Sequence, residues 1–306
     1  MIGYLKLIRF PNLLMVILTM VLTKYAIINS FTSAISDVQF ILLTISVLCI
    51  TASGYIINDV FDVEADKINK PTKVFVGNTI SKKKALLFYS VLSILGLALG
   101  VYAAYLKGNI SYSIFFIGTI ILLFWYSKSL KRIAIIGNIV TAFLVALTIC
   151  IVFVFEVKNA NTASNLLEAI ANFFASISVT IAVIVYIIFA FFMTLIREII
   201  KDIEDIKGDY ALKMKTLPIL IGIHRTKNVA LVISSLVFLL VLLLLKEELL
   251  HIPLLFWYTI LFIILPFVWF LYKLFTSKTT KDFQLLSELV KVIMFFGILS
   301  MALIKF

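Results

Sequence analysis

Two short acidic stretches hold the residues best able to do chemistry. "NDVFDVEADKINKPTK" covers residues 58–73 and "KDIEDIKGD" covers residues 201–209, and each follows a long apolar run. Both carry aspartates spaced Asp-x-x-Asp-x-x-x-Asp. On a helix, positions i, i+3 and i+7 fall within roughly 60° of one another. Asp59, Asp62 and Asp66 are therefore expected to share one face, and so are Asp202, Asp205 and Asp209. Glu198 joins the second face, while Glu64 and Glu204 point elsewhere. Like charges on one face repel, and a helix C-terminus disfavours anions. A solvated acidic helix end is the plain alternative, but the duplicated spacing favours a bound cation. Carboxylates with the Asn58 amide are hard oxygen donors suited to Mg²⁺, which typically bridges one or two carboxylates to substrate phosphates. The expected metal set is Asn58, Asp59, Asp62, Asp66, Asp202, Asp205 and Asp209, with a pyrophosphate held between the two clusters.

Cations stand nearby for the phosphate oxygens that metals leave free. Lys70 and Lys73 follow the first motif, Lys128, Lys131 and Arg132 fill "WYSKSLKR", and Lys213 and Lys215 follow the second motif. Lys73 is the expected principal phosphate contact, since it closes the segment that begins with the metal motif.

The elements that must position these groups follow from composition. The 306 residues are 63% hydrophobic and 14% charged, against about 25% charged in a soluble domain, so the chain is expected to be an integral membrane protein. A bilayer core needs about 20 apolar residues per helix. Nine segments qualify, with approximate cores 13–28, 40–57, 85–106, 110–125, 133–155, 173–196, 229–245, 252–271 and 289–304. They are too long and too uniformly apolar for barrel strands. The fold class expected is thus all-α and polytopic. No cleavable leader pattern is expected at "MIGYLKLIRFPN". Cys49 and Cys150 lie in apolar runs without metal-ligand or disulfide spacing.

Lysine and arginine orient the chain. The N-terminus and the loops after the even-numbered helices hold 21 of the 27 basic residues. The N-terminus and both acidic motifs are therefore expected on the cytoplasmic side, and the C-terminus outside. The net charge of +11 then reflects topology and anionic lipid heads, with no nucleic-acid partner implied. The motifs lie 143 residues and four helices apart. This suggests one domain, 1–306, with repeated halves of about 1–130 and 131–280 plus a ninth helix.

The order "NDVFDVEAD", "NKPTK", "YSKSLK", "KDIEDIKGD" and "KTLPILIG" resembles the UbiA-type intramembrane prenyltransferases over essentially the whole chain. That resemblance implies a nine-helix bundle around a central cavity, capped by the two acidic segments, where Mg²⁺ binds the pyrophosphate of an isoprenyl diphosphate. Members often carry Asn-Arg-Pro-x-Arg-Pro after the first motif; here Asn69 to Val74 reads "NKPTKV". Lysines replace both arginines, which leaves point-charge contacts where bidentate ones are usual.

An allylic diphosphate ionises when metal and cations stabilise the departing pyrophosphate, and the carbocation needs a site free of water. Aromatic faces stabilise such a cation, and Tyr126, beside the "SKSLKR" loop, is the expected candidate. Catalytic roles are expected for Asp62, Asp66, Asp205, Asp209, Lys73 and Tyr126. Substrate or cofactor contacts are expected for Asn58, Lys70, Lys73, Lys128, Lys131, Arg132 and Lys215. Arg9 and Asn12 are placed to meet the acceptor's polar head, although Arg9 is equally readable as an interfacial anchor. The second motif, "REIIKDIEDIKGDYALKMKTLPI", is most similar to the branch whose acceptor is geranylgeranylglyceryl phosphate, a lipid phosphate. An aromatic, quinone-precursor acceptor is the alternative. A secondary transporter would place charges near midplane, and the Asp-Gly-x-x-Ala-Arg pattern of CDP-alcohol phosphotransferases is missing.

Overall fold

The computed structural model describes residues 2–28, 34–69, 74–156, 166–247 and 252–304; the side chains of 2, 166–176, 178 and 247 lie outside that description. Backbone N–H and C=O groups find no partner in lipid, so long apolar runs wind into helices. Among the described residues, nine helices are long and apolar enough to span a membrane. They are Phe10–Ile28, Asp37–Asn69, Lys82–Leu106, Ile110–Lys128, Ile136–Glu156, Val179–Glu204, Ile223–Lys246, Pro253–Thr276 and Thr280–Leu303. Large apolar side chains such as Ile94, Ile114 and Phe275 stay exposed on their surfaces, as lipid-facing residues do. The fold is all-α, and the described residues add only the isolated bridges Val76–Ile80 and Ile133–Lys215.

Helix ends differ from the apolar cores where polar residues continue or cap the helix. α1 (Ile2–Leu7) precedes α2 (Phe10–Leu22), which runs on through a π-helical turn, Thr23–Ile28. α3 (Asp37–Asn69) carries the second span straight through the first aspartate motif. The last span, α13 (Thr280–Ser300), begins nine residues before the apolar core, because Thr279 and Asp282 form a capping box at its start. The eighth span consists of α11 (Pro253–Thr259), a π-helical turn (Ile260–Ile264) and α12 (Leu265–Thr276). Its widened turn precedes Pro266, whose ring cannot accept the regular α-helical ladder.

The chain divides into two compact units. The first comprises Met1–Ile17, Ile35–Val140 and Asp205–Leu220. Here α3 packs on α4 (Lys82–Leu106) and α5 (Ser113–Lys128). The approach is close because α4 presents glycine: a Cβ at Gly96 would lie 2.7 Å from Ile50, and one at Gly100 2.5 Å from Phe116. Small residues at such seams are how helices associate where lipid removes the hydrophobic drive. Leu7 of α1 is fully buried with Ile56, Val60, Val76, Ile80 and Ala85, which pins the N-terminus to the end of α3.

The second unit comprises Leu18–Ala34, Thr141–Glu204 and Ile221–Phe306. α7 (Leu166–Glu204) packs on α13 and on α10 (Ile223–Glu247). The hydroxyl of the half-buried Tyr186 lies 2.8 Å from Ser300 Oγ. Lys24 and Glu156 form an ion pair at 2.5 Å with both side chains 1% exposed, and the Ala34 N–H donates to the same carboxylate at 2.7 Å.

Candidate active site

The first motif sits on one uninterrupted helix, α3, and meets cations from two other segments. Asn58 Nδ2 donates to Asp62 Oδ2 at 2.8 Å. Lys131 Nζ donates to Asp62 Oδ1 at 2.5 Å and to Asn58 Oδ1 at 3.1 Å. Lys131 comes from the 3₁₀ turn Leu130–Arg132, between α5 and α6 (Ile136–Glu156). That turn is held by a backbone bond from Lys215 N–H to the Arg132 carbonyl, 2.9 Å. Burial pushes the Lys131 ammonium below the ordinary lysine range, opposed by the fields of Asp62 and Asp66.

Asp59 has a different partner. Arg9, in the break between α1 and α2, adopts φ +51°, a region that costs most L residues energy. The break lets its guanidinium reach Asp59 Oδ1 at 2.9 Å and lie 4.8 Å from the Tyr55 ring centroid. Asn12 Nδ2 donates to the Tyr55 hydroxyl at 3.4 Å. Tyr55 thus gathers Arg9 and Asn12, one helical turn before Asp59, a link that residue type alone does not mark.

The second motif corrects one expectation. α7 ends at Glu204; Asp205 has φ −93° and ψ 6°, and a short helix, α8 (Ile206–Ala211), follows. Asp202, Asp205 and Asp209 therefore do not lie along one continuous helix. Asp202 and Glu198 fall in the second unit, and Asp205 and Asp209 in the first. Glu198 accepts from Arg197 at 2.8 Å and pairs with Lys201 at 3.5 Å. α8 packs on α3, and the contact centres on Asn69, the last residue of α3. Asn69 Nδ2 donates to the Asp205 carbonyl at 3.0 Å, and Asn69 Oδ1 accepts from the Gly208 N–H at 2.8 Å. Residue type gives Asn69 no role in advance; the one signal in the sequence is Gly208, a glycine inside an acidic helical motif.

The remaining candidates separate by position. Asp209 is buried and Asp66 half-buried. Lys128 is exposed and its ammonium lies over the Trp125 and Phe124 rings, 5.4 and 5.9 Å from their centroids. Tyr126 is half-buried on α5, while Arg132, Lys213 and Lys215 are exposed. Lys70 and Lys73 lie outside the described residues.

The donor set suits Mg²⁺: carboxylates and an amide oxygen, with neither thiolate nor imidazole among them. Among the described residues no three Asp, Glu, His or Cys are gathered at metal-holding distances. Positive charge meets these oxygens instead through Arg9 at Asp59 and Lys131 at Asp62. A cation-seeking oxygen cluster beside exchangeable basic side chains can receive an anion that arrives with its own metal ions.

Known proteins carry the same arrangement of chain. Digeranylgeranylglyceryl phosphate synthase of Methanosphaera stadtmanae is 31% identical over 98% of this chain and 98% of its own. The enzyme of the same name from Sulfurisphaera tokodaii is 32% identical over 73% of this chain and 71% of its own. A solved structure of digeranylgeranylglyceryl phosphate synthase superposes with a TM-score of 0.65 at 25% identity, covering 98% of this chain and 96% of that one. The fold also matches a UbiA homolog from Archaeoglobus fulgidus solved with GPP and Mg²⁺, with a TM-score of 0.59 at 16% identity over 98% and 99% of the two chains. The family model described as the UbiA prenyltransferase family matches residues 13–299, which takes in both aspartate motifs and the Lys131 turn between them, and the chain belongs to that family.

Proposed function

We propose that this member of the UbiA prenyltransferase family moves a geranylgeranyl group from its diphosphate to a glycerol hydroxyl of geranylgeranylglyceryl phosphate. The observation that carries the acceptor is the alignment with the Methanosphaera stadtmanae enzyme over nearly the whole of both chains. The allylic carbon–oxygen bond breaks, pyrophosphate leaves with the bonding electron pair, the acceptor oxygen bonds to the same carbon, and the hydroxyl proton passes to the pyrophosphate or to solvent.

Asn58, Asp59, Asp62, Asp66, Asp202, Asp205 and Asp209 are the residues that would hold Mg²⁺, which when bound supplies positive charge for a departing pyrophosphate. The chain's own cations do the remaining work on the diphosphate. Lys131 is held at the first motif by a short turn, so its ammonium needs little reorganisation to meet a phosphate oxygen. Arg9, with its planar fork of donors, suits a second phosphate group such as the acceptor's, and Asn12 adds a donor beside it. Lys70 and Lys73 follow the first motif in sequence and Lys215 the second, and these would provide further charge, with Tyr126 an aromatic face for the allylic cation. That cation requires a site closed to water. The distribution of lysine and arginine supports an active site, and an N-terminus, facing the cytoplasm, with the C-terminus outside. The two motifs four spans apart support repeated halves within one domain.

An activity panel tests this. Detergent-solubilised protein is incubated with prenyl diphosphates of increasing length and with geranylgeranylglyceryl phosphate or aromatic acids. Ether-linked product is expected only with the lipid phosphate, lost in chelator and restored by Mg²⁺. Prenylated aromatic acid as the sole product would overturn the acceptor, and full turnover in excess chelator would overturn the metal role.

A further inference from the structure

We infer that Asn69 is a positioning residue that sets the second aspartate motif against the first, and that Gly208 is the seat it requires. The inference rests on the metal–diphosphate reading above. Asn69 is the last residue of α3, three residues beyond Asp66, so its side chain is rigidly related to Asp59, Asp62 and Asp66. Its amide presents a donor and an acceptor side by side, as only Asn and Gln do without charge. Both groups are used on one short stretch: the donor on the Asp205 carbonyl at 3.0 Å and the acceptor on the Gly208 N–H at 2.8 Å. These two backbone positions bracket the turn that ends α7 and starts α8.

Gly208 is buried. A Cβ built on it would lie 2.4 Å from Asn69 Nδ2 and 2.7 Å from Asn69 Cγ. Any larger residue must push the amide away. α8 is six residues long, too short to hold its own orientation by helical cooperativity. The Asn69 clamp therefore decides where Asp205 and Asp209 stand relative to the first motif. Two carboxylate clusters that share one diphosphate depend on that distance, because misplacement by about 1 Å can cost about 10²-fold in rate.

The test compares Asn69→Ala, Gly208→Ala and the double variant with wild type. In metal-free protein, hydrogen–deuterium exchange over residues 206–212 should speed up in Asn69→Ala, because the clamp on the Gly208 N–H is gone. In the transfer assay, Asn69→Ala and Gly208→Ala should each lose at least about tenfold in kcat, the scale of one or two lost hydrogen bonds. Each should also need several-fold more Mg²⁺ for half-maximal rate, with the acceptor KM little changed. The double variant should be no worse than either single one, since removing the amide removes the clash. If Asn69→Ala does not fold, Asn69→Leu serves: it is nearly isosteric and loses both the donor to Asp205 and the acceptor for the Gly208 N–H, so it should shift exchange and Mg²⁺ demand in the same direction. Wild-type exchange and Mg²⁺ dependence in the Asn69 variant, or losses that multiply in the double variant, would overturn the inference. Asp62→Ala separates the two levels. If it is inactive while Asn69→Ala is normal, only the clamp fails; if Asp62→Ala is active, the metal reading itself fails.

Discussion

The two aspartate motifs share a spacing and differ in backbone. The first rides one helix, α3, from Asp59 to Asp66 without interruption. The second straddles a break: Asp202 closes α7, Asp205 lies in the turn, and Asp209 belongs to α8. Their neighbours differ as well. Asp59 and Asp62 face Arg9 and Lys131, whereas the turn at Asp205 is held through its backbone by Asn69. The difference teaches that a repeated pattern of side chains does not impose a repeated conformation. At the break the half-buried Asn69 amide adds a partner to the Asp205 carbonyl and to the Gly208 N–H, which also bond each other at 3.1 Å.

The largest expected effect asks whether both backbones serve one function. Asp62→Ala and Asp205→Ala should each reduce transfer to background, measured as prenyl transfer under saturating substrates. If only Asp62→Ala does so, the two motifs are not equivalent halves of one site.

Next comes the cation at the first motif. Lys131→Ala should lower kcat by about 10²–10³-fold, the typical loss of one positioned donor to developing charge. KM should change less, and Lys131→Arg should keep part of the rate. Lys82→Ala is the internal comparison, because Lys82 is exposed at the start of α4 and its loss should leave kcat near wild type. Equal losses in both would reduce the Lys131 contact to general surface charge.

A third test asks whether the contrast concerns the motifs or buried charge in general. Lys24 and Glu156 pair in the second unit with no exposure to speak of. Lys24→Met leaves a buried carboxylate uncompensated and should cost about 3–5 kcal/mol, read as a lowered melting temperature in detergent. Adding Glu156→Gln should recover much of it. A single variant as stable as wild type would show that water or another group reaches Glu156.

The smallest effect sharpens the facial argument. Glu64 is 68% exposed and pairs with Lys67, itself 52% exposed. Such surface pairs contribute about 0–1 kcal/mol. Glu64→Ala should keep nearly full activity and stability. A loss comparable to that of Asp62→Ala would mean that the functional face of α3 is wider than the Asp59–Asp62–Asp66 stripe.

Much of this was legible in the order of residues. Length and hydropathy of the runs mark the nine helices long and apolar enough to span a membrane among the described residues, because lipid leaves the backbone no other way to satisfy itself. The apolar cores mark span centres well and ends poorly. A capping box extends α13 toward its N-terminus, and α3 runs twelve residues past its core through charged sequence, 57 to 69. Side-chain type and spacing also determine the donor chemistry, since hard oxygen ligands on one helical face need only local geometry.

What tertiary structure alone decided are the partnerships across distant segments. Arg9 meets Asp59, Lys131 meets Asp62, and Asn69 meets Gly208 over separations of 50, 69 and 139 residues. Local pattern places a charge on a face; it does not say which face of another segment will arrive there. The break at Asp205 belongs to the same class, because the amide that bonds to it comes from the end of another helix. By itself the sequence determined the spans and the chemistry of the donors. Packing determined which donors meet which cations, because those contacts depend on the paths of helices that lie far apart along the chain.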